Sequence, residues 1–438
     1  MKNFKIALQF ILQCGIVAAT ITNVYAQFNF NFQLIQRAEY RNGYGKLISE
    51  NADPAAFISQ RFRIQGLYNL DKLSVYAALQ DVRTWGSRSQ LITSDPSTLL
   101  YEAWVNLRIN GNLSLKLGRQ ELNYDNVRFL GNSDWLLQGR SHDFGLLRLE
   151  KKYWKLHIGA GYNQQAEHLQ KQVFNVQNQY KTAQLIRFEQ QWKKLDYALL
   201  FWNDGREVTS TDSVGSITKF WTRYSQTVGI STLKYAVEKL QFSGFYYYQF
   251  GKHFSGKNLK AFDIGMQVSY SFKLGIQNLK TFRLSLGTEV ISGTTSNTHA
   301  AFTPLYGTGH IHNGYMDYFY NGGRHENSTG LQDYYLKTRY DFSDRWFVSG
   351  NFHRFSSYAD IVLNSLTLNK YFGTEMDFSA VFKLNQAISF QGGYSQFISS
   401  KNFQEFQGVR NPKLYQNWMY LMIIVRPDSD KKFIGLSF

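Results

Sequence analysis

A single closed antiparallel β-barrel that crosses a membrane is the fold this sequence predicts, and three observations predict it. Apolar and polar residues alternate with a period of two along nearly the whole chain. The gaps between the alternating segments fall into a short and a long class that take turns. Aromatic residues make up 17% of the chain while its mean hydropathy is −0.36. Apolar surface is thus plentiful, yet beyond the first 26 residues no stretch reads as a membrane helix.

The first 26 residues read as a secretory leader. Lys2 and Lys5 form a basic start, Ile6 to Ile21 is mostly apolar, and Val24-Tyr25-Ala26 supplies short residues at the −3 and −1 positions before Gln27. The apolar run is interrupted by Gln9 and Gln13, which argues against a membrane anchor. Cys14 is the only cysteine and lies inside this leader; Gln13 before it is not the small residue that a lipoprotein site needs. Residues 27–438 are then cysteine-free, so a hydrogen-bonded closed barrel, rather than disulfides, supplies the rigidity.

In Phe28-Asn29-Phe30-Asn31-Phe32-Gln33-Leu34 every second residue is apolar and its neighbours are amides, as in a strand with one face in hydrocarbon and one in water. Comparable segments run near 56–69, 73–83, 98–110, 112–122, 143–151 and 154–163. More follow near 182–192, 195–204, 222–237, 240–252, 259–274 and 279–292, and the last near 331–342, 345–356, 370–383, 387–398 and 413–426. That gives about eighteen strands, an even number suited to a bacterial single-chain barrel. Short connections such as 69–72, Gly111, Lys152-Tyr153, Lys193-Lys194 and 384–386 alternate with long ones near 42–55, 84–97, 123–142, 164–181, 205–221, 293–330, 357–369 and 399–412. The connection 253–258 is a modest member of the long class. Short turns belong on the periplasmic side and long loops on the extracellular side, with both ends of the barrel on the short-turn side. Residues 27–438 read as one barrel domain, in which 428–438 extends past the last strand as a short extra strand or an exposed recognition peptide.

Formal charge is +16, and +14 once the two lysines of the leader are removed. A charge on the lipid face costs about 2–4 kcal/mol at the midplane, so charged members of alternating strands belong in the lumen. That places Arg37 and Glu39 of the first strand inward, and Arg61 and Arg63 of the second. The same reasoning assigns Arg148, Arg187, Arg283, Arg339 and Arg354 to the lumen. Rings of arginine lower the barrier for anions, and Arg37, Arg61, Arg63, Arg339 and Arg354 are the selectivity candidates. Glu102, Glu189 and Glu289 alternate inward as well, so a salt-bridged ladder holding the strands in register is the other reading.

Two segments resemble the alginate export family of outer-membrane barrels. One is Gly118-Arg119-Gln120-Glu121-Leu122 with Arg128-Phe129-Leu130-Gly131, Asp134-Trp135 and Gly139-Arg140-Ser141-His142-Asp143. The other is Pro304-Leu305-Tyr306-Gly307-Thr308-Gly309-His310 with Gly314-Tyr315-Met316-Asp317-Tyr318-Phe319. A weaker match covers Gly373-Thr374-Glu375-Met376-Asp377, Gly393-Tyr394-Ser395 and the end of the final strand at Arg426-Pro427. The resemblance implies a monomeric eighteen-stranded channel with an electropositive constriction that exports an acidic polysaccharide. It implies Arg119, Arg128 and Arg140 as the constriction and Asp125 and Asp143 as orienting counter-ions, unless these residues only pin the loop into the barrel. The sequence departs from the family pattern at His142, where members carry Phe, and in the residues after Pro427. The implied partners are an anionic polysaccharide or oligosaccharide, outer-membrane lipids, the barrel-assembly machinery and periplasmic export components.

Other chemistry is weakly represented. Arg324-His325-Glu326-Asn327-Ser328 holds the residue types of a barrel hydrolase but crowds them into the longest loop rather than at the barrel wall. His310 and His312 near Asp317 lack a clear third metal ligand. No phosphate loop or dinucleotide fingerprint is present, and basic residues are not gathered on one face as nucleic-acid binding requires. The expectation is a non-enzymatic channel without cofactor, metal or nucleic acid. The alternatives to polymer export are a general or small-anion porin, a barrel hydrolase and a surface adhesin.

Overall fold

The first alternating segment forms β1 (Gln27–Asn42), and its two faces part as the pattern demands: Phe28 and Phe30 are 64% and 60% exposed on the outer surface, whereas Arg37 and Glu39 are buried inside. The computed structural model describes residues 27–427, 429 and 432–438, apart from 92, 93, 96, 175, 177, 214, 216, 275–279, 295–298 and 320–328. The leader 1–26 and the cluster Arg324-His325-Glu326-Asn327-Ser328 therefore lie outside the described residues.

The strands that follow are β2 (Ala55–Asn69), β3 (Leu73–Thr84), β4 (Thr98–Arg108), β5 (Leu113–Gln120), β6 (His142–Glu150), β7 (Trp154–Tyr162), β8 (Thr182–Trp192) and β9 (Leu195–Thr211). Next come β10 (Ile217–Val237), β11 (Leu240–Lys252), β12 (Asn258–Leu274), β13 (Lys280–Ile291), β14 (Leu331–Asp341) and β15 (Trp346–Ser356). A loop hairpin of β16 (Ile361–Leu363) and β17 (Leu366–Leu368) intervenes before β18 (Tyr371–Lys383), β19 (Ile388–Ser399) and β20 (Gln416–Val425). Each barrel strand pairs antiparallel with the next, β15 passing over the hairpin to β18. The sheet closes because β20 also pairs with β1, Leu34 opposite Val425 and Asn42 opposite Asn417. Eighteen strands in one closed ring leave no free edge, as a strand-built membrane crossing requires.

The outer surface is apolar, and Tyr68, Tyr153, Trp192, Tyr235 and Trp346 cluster beside the short turns, where an interfacial aromatic girdle belongs. The structure departs from the sequence expectation in four places. Residues 205–211 and 217–221 are not loop but continue β9 and β10 as a long hairpin, Val208 opposite Trp221 and Thr209 opposite Phe220. Their β-branched and aromatic side chains favour the ladder even beyond the roughly ten residues that a crossing needs. The loop 399–412 contains a short helix, α1 (Lys401–Gln407), capped by Ser400, whose hydroxyl accepts from the Phe403 amide at 3.1 Å. Arg354 is exposed on the outer face, not in the lumen: in β15 the buried residues are Phe347, Ser349, Asn351, His353 and Phe355, so the even positions point outward. The segment after β20 is neither a strand nor exposed; it turns back into the lumen.

Candidate functional site in the barrel lumen

Two of the long loops fold inward and meet. In the loop 121–141, Phe129, Leu130 and Trp135 are buried, and in the loop 292–330 so are Phe302, Tyr306, Tyr315 and Met316. The loops join through a parallel bridge between Leu130 and Tyr306 and a hydrogen bond from the Gly131 amide to the Tyr306 carbonyl, 2.9 Å. The backbone must bend sharply to do this. Asp125, Val127, Ser133 and Leu137 all hold positive φ, and for β-branched Val127 at φ 54 that costs on the order of 1–3 kcal/mol. The Thr308 amide donating to the Val127 carbonyl at 2.8 Å helps hold it there. Gly307 is required at the crossing, since a Cβ there would stand 1.9 Å from the Arg128 carbonyl oxygen. At the centre the Trp135 and His310 rings stack at 3.9 Å, with Trp418 and Tyr420 edge-on.

The wall built by β1, β2 and β3 is basic and grips the first loop. Arg37 pairs with Glu39 at 2.8 Å, donates to the Trp135 carbonyl at 2.7 Å, and lies 4.1 Å over the Trp135 ring. Arg61 reaches Asp134 at 2.7 Å, and Arg426 takes the other oxygen of that carboxylate at 2.6 Å. Burial pushes the Asp134 carboxyl up, but Arg61, Arg426 and Arg63 outweigh it and hold it far below the usual carboxylate range. Arg63 donates twice to Gln80 and lies 3.7 Å over Tyr101. Beside this buried row, Arg37, Arg83 and Arg88 line a cavity of about 380 Å³ with Ser59, Ser87 and Ser97. The Arg83 side chain itself shares the outward face of β3 with Leu79 and Asp81, opposite Gln60 and Phe62, and Asp95 is the counter-ion of both Arg83 and Arg88.

A second stretch of wall, from β12 to β18, is acidic. Asp263, Glu289, Asp333, Glu375 and Asp377 are all buried beneath the second loop. Arg128, only 1% exposed, reaches across from the first loop to Asp263 at 2.9 Å and Glu289 at 2.7 Å. Asn313 bridges Arg128 and Glu289, His353 lies 3.0 Å from Asp333, and the Met316 amide donates to Glu375 at 2.8 Å. His310 bonds to Asp317 at 3.0 Å, and no group of His, Cys, Asp and Glu suited to a metal exists among the described residues.

The residues singled out from the motifs therefore separate. Arg128 and Arg140 lie in the lumen, but Arg119 and Asp143 do not. They share a face with outward Leu117 and Leu147, while their neighbours Gln120, His142 and Phe144 point inward and are buried. Arg119 and Asp143 pair with each other at 3.0 Å on the outer surface, beside the long-loop end of the strands, with side chains 37% and 58% exposed. The constriction expected of Arg119 is corrected accordingly, since the motif placed it by similarity while the strand register decides its face. Asp125 pairs with Arg187 rather than with any of the three motif arginines, its Oδ1 accepting from Nε at 3.1 Å. Arg140 donates to the Gly307 carbonyl at 2.8 Å and weakly to Gly131, and no carboxylate pairs with it among the described residues. Arg339 is inward, clamped by Asp341 and lying 3.9 Å over Phe347. The acidic wall, Lys337 and Arg426 were not singled out as site residues beforehand. The inward parity of Asp333, Lys337, Glu375 and Asp377 in their strands was the available signal.

The fold is similar to that of solved outer-membrane porins. OpdK of Pseudomonas aeruginosa, crystallised with vanillate, superposes with a TM-score of 0.56 at 12% identity, covering 91% of this chain and 98% of that one. A BenF-like porin of Pseudomonas fluorescens Pf-5 gives 0.55 at 11% identity over 91% and 99%, and OpdQ of Pseudomonas aeruginosa 0.54 at 11% over 91% and 97%. At such identities the likeness concerns the fold. No curated protein matches. The sequence model of the alginate export family, however, matches residues 26–415, nearly the whole chain. A closed eighteen-stranded barrel with two loops folded into its lumen is thus an outer-membrane channel protein, and the chain belongs to the alginate export family.

Proposed function

We propose that this protein passively conducts an anionic polysaccharide, or fragments of one, through an arginine-lined path across the outer membrane. One observation carries the reading: the carboxylates of β12 to β18 are buried under the second loop, while Arg140, in the inward part of the first loop, is half-buried without a carboxylate partner among the described residues, and Arg88 is exposed beside the luminal cavity. A solvent-accessible guanidinium attracts anions and can grip a uronate carboxylate with two parallel hydrogen bonds, whereas a carboxylate sealed from the path cannot bind a passing cation directly. Carbonyl-bound Arg140 has the least compensated charge of the motif arginines. Dense packing of the lumen favours a second reading, a porin for small anions only.

Planar-bilayer conductance separates the two. Block by uronate oligomers but not by neutral oligosaccharides of equal length is the expected result. Anion-selective current insensitive to oligomers would favour the small-anion porin, and cation selectivity would overturn both. Residues 1–26 act in this scheme as a leader cleaved after Ala26, which the mass of the protein purified from membranes would test. Outer-membrane lipids, the barrel-assembly machinery and periplasmic export components are the partners this role calls for, and the monomer is its working unit.

A further inference from the structure

The chain does not stop at the barrel wall. After β20 the Arg426 amide donates to the Ala387 carbonyl at 2.8 Å, and residues 432–438 then climb back into the lumen from the short-turn end. The climb has a built track. Ser389 donates to the Lys432 carbonyl, and Gln391 makes two reciprocal bonds with Ile434, from Nε2 to its carbonyl at 2.8 Å and to Oε1 from its amide at 3.1 Å. At the top, Ser437 donates to the Ile311 carbonyl at 2.8 Å and accepts from Lys337 Nζ at 2.8 Å. Phe433 and Phe438 both pack edge-on against Phe347, and Arg339 lies 4.4 Å from the Phe438 ring centre. Gly435 runs so close under the central stack that a Cβ would stand 2.2 Å from the Trp135 ring and 2.9 Å from His310. The segment thus touches the undersides of both inward loops.

We infer that residues 432–438 are a displaceable plug, supplied by the chain itself, that closes the short-turn half of the lumen. The inference rests on the channel reading above and adds a gate and its ligand class. Three features make the seat reversible. Alongside the apolar packing of Phe433, Ile434, Leu436 and Phe438 its track has polar holds, and Ser389, Gln391 and Lys337 regain hydrogen bonds from water when the segment leaves. The segment from Phe433 to Phe438 carries no acidic side chain, so it covers Lys337 without adding a carboxylate side chain to pair with it. A carboxylate on the passing solute can replace the Ser437 hydroxyl on Lys337 with a stronger, charge-assisted bond. An anionic chain entering from the periplasmic side therefore competes for the cation that helps hold the plug shut.

Single-channel recording tests this on the full-length protein and on a chain ending at Pro427. Removal of the tail is expected to raise conductance several-fold; an unchanged conductance would overturn the plug. Should the shortened chain fail to assemble, full-length Gln391→Ala keeps the question open to measurement: excursions to a higher conductance level are expected, and their absence overturns it. Displacement is read separately in Ser437→Cys, whose thiol is the only one in residues 27–438. Its labelling by a charged, membrane-impermeant thiol reagent should accelerate at least several-fold with oligouronate and not with neutral oligosaccharide. Equal rates would overturn displacement by the solute. Reversal potentials of the shortened chain distinguish this from the channel reading, since a widened but cation-selective pore would sink the anionic path and leave the plug standing.

Discussion

Two stretches of the barrel wall contrast: β1 to β3, with Arg37, Arg61 and Arg63, and β12 to β18, with Asp263, Glu289, Asp333, Glu375 and Asp377. Both rows are buried by an inward loop, but they are compensated differently. The basic row holds its loop partly through carbonyl oxygens and amides, at Trp135, Leu137 and Gln80, and borders a cavity beside exposed Arg88. The acidic row is matched only in part: Arg128 from the other loop serves Asp263 and Glu289, His353 serves Asp333, and Glu375 accepts from a backbone amide. Charge count alone would have made the two walls nearly cancel. Solvent contact decides which of them a passing ion feels, because buried matched charges are structural while solvated ones act at a distance.

The comparison breaks most visibly at Arg128. Arg128→Met leaves Asp263 and Glu289 buried without their cation, which should cost about 3–5 kcal/mol. Urea unfolding of the detergent-solubilised barrel should show that loss, and a midpoint within error of wild type would mean that the acidic wall is not held as described. Asp134→Asn is the matching test of the basic wall, with an expected loss of about 1.5–3 kcal/mol from its charged hydrogen bonds. Its pH dependence has a definite sign. The carboxyl is depressed in the folded protein, so its contribution is present above the ordinary Asp value of 3.8 and fades as pH falls towards the folded value. The stability gap between wild type and Asp134→Asn should therefore be constant from about pH 8 to pH 5 and narrow below about pH 4; a gap that closes near neutrality would refute the assignment.

Smaller effects sharpen the division between solvated and sealed charge. Arg140→Gln should lower the anion-to-cation permeability ratio by roughly two- to threefold in reversal-potential measurements, with little change in unfolding. Arg119→Gln and Arg354→Gln should do least, leaving selectivity unchanged and shifting stability by no more than about 0.5 kcal/mol, as for exposed surface charges. A shift in reversal potential from either would place it back in the pore.

The difference between Arg63 and Arg354 explains what was legible beforehand. Arg63 sits mid-strand between Phe62 and Ile64, so a charge that must avoid hydrocarbon had one face available. Arg354 stands at the long-loop end of β15, beside the headgroup level, where an outward charge costs little and alternation loses its force. Arg119 came from the motif resemblance instead, which carries no register, and the register of β5 turns it outward. Strand boundaries came out within a few residues for most of the barrel because period-two patterning is a local signal. Only the long hairpin of β9 and β10 and the short elements inside loops, which no hydrocarbon boundary constrains, were read otherwise.

By itself the sequence determined the barrel: a closed ring of about eighteen amphipathic strands, its apolar and polar faces, and its family. Those properties depend on neighbours one or two residues apart. Only the tertiary structure decided that Arg128 serves Asp263 and Glu289, that Trp135 meets His310, and that residues 432–438 return to the lumen. Each of those contacts joins positions more than forty residues apart through loops without periodicity, where side-chain fit and buried hydrogen bonds, rather than a repeating pattern, select the partner.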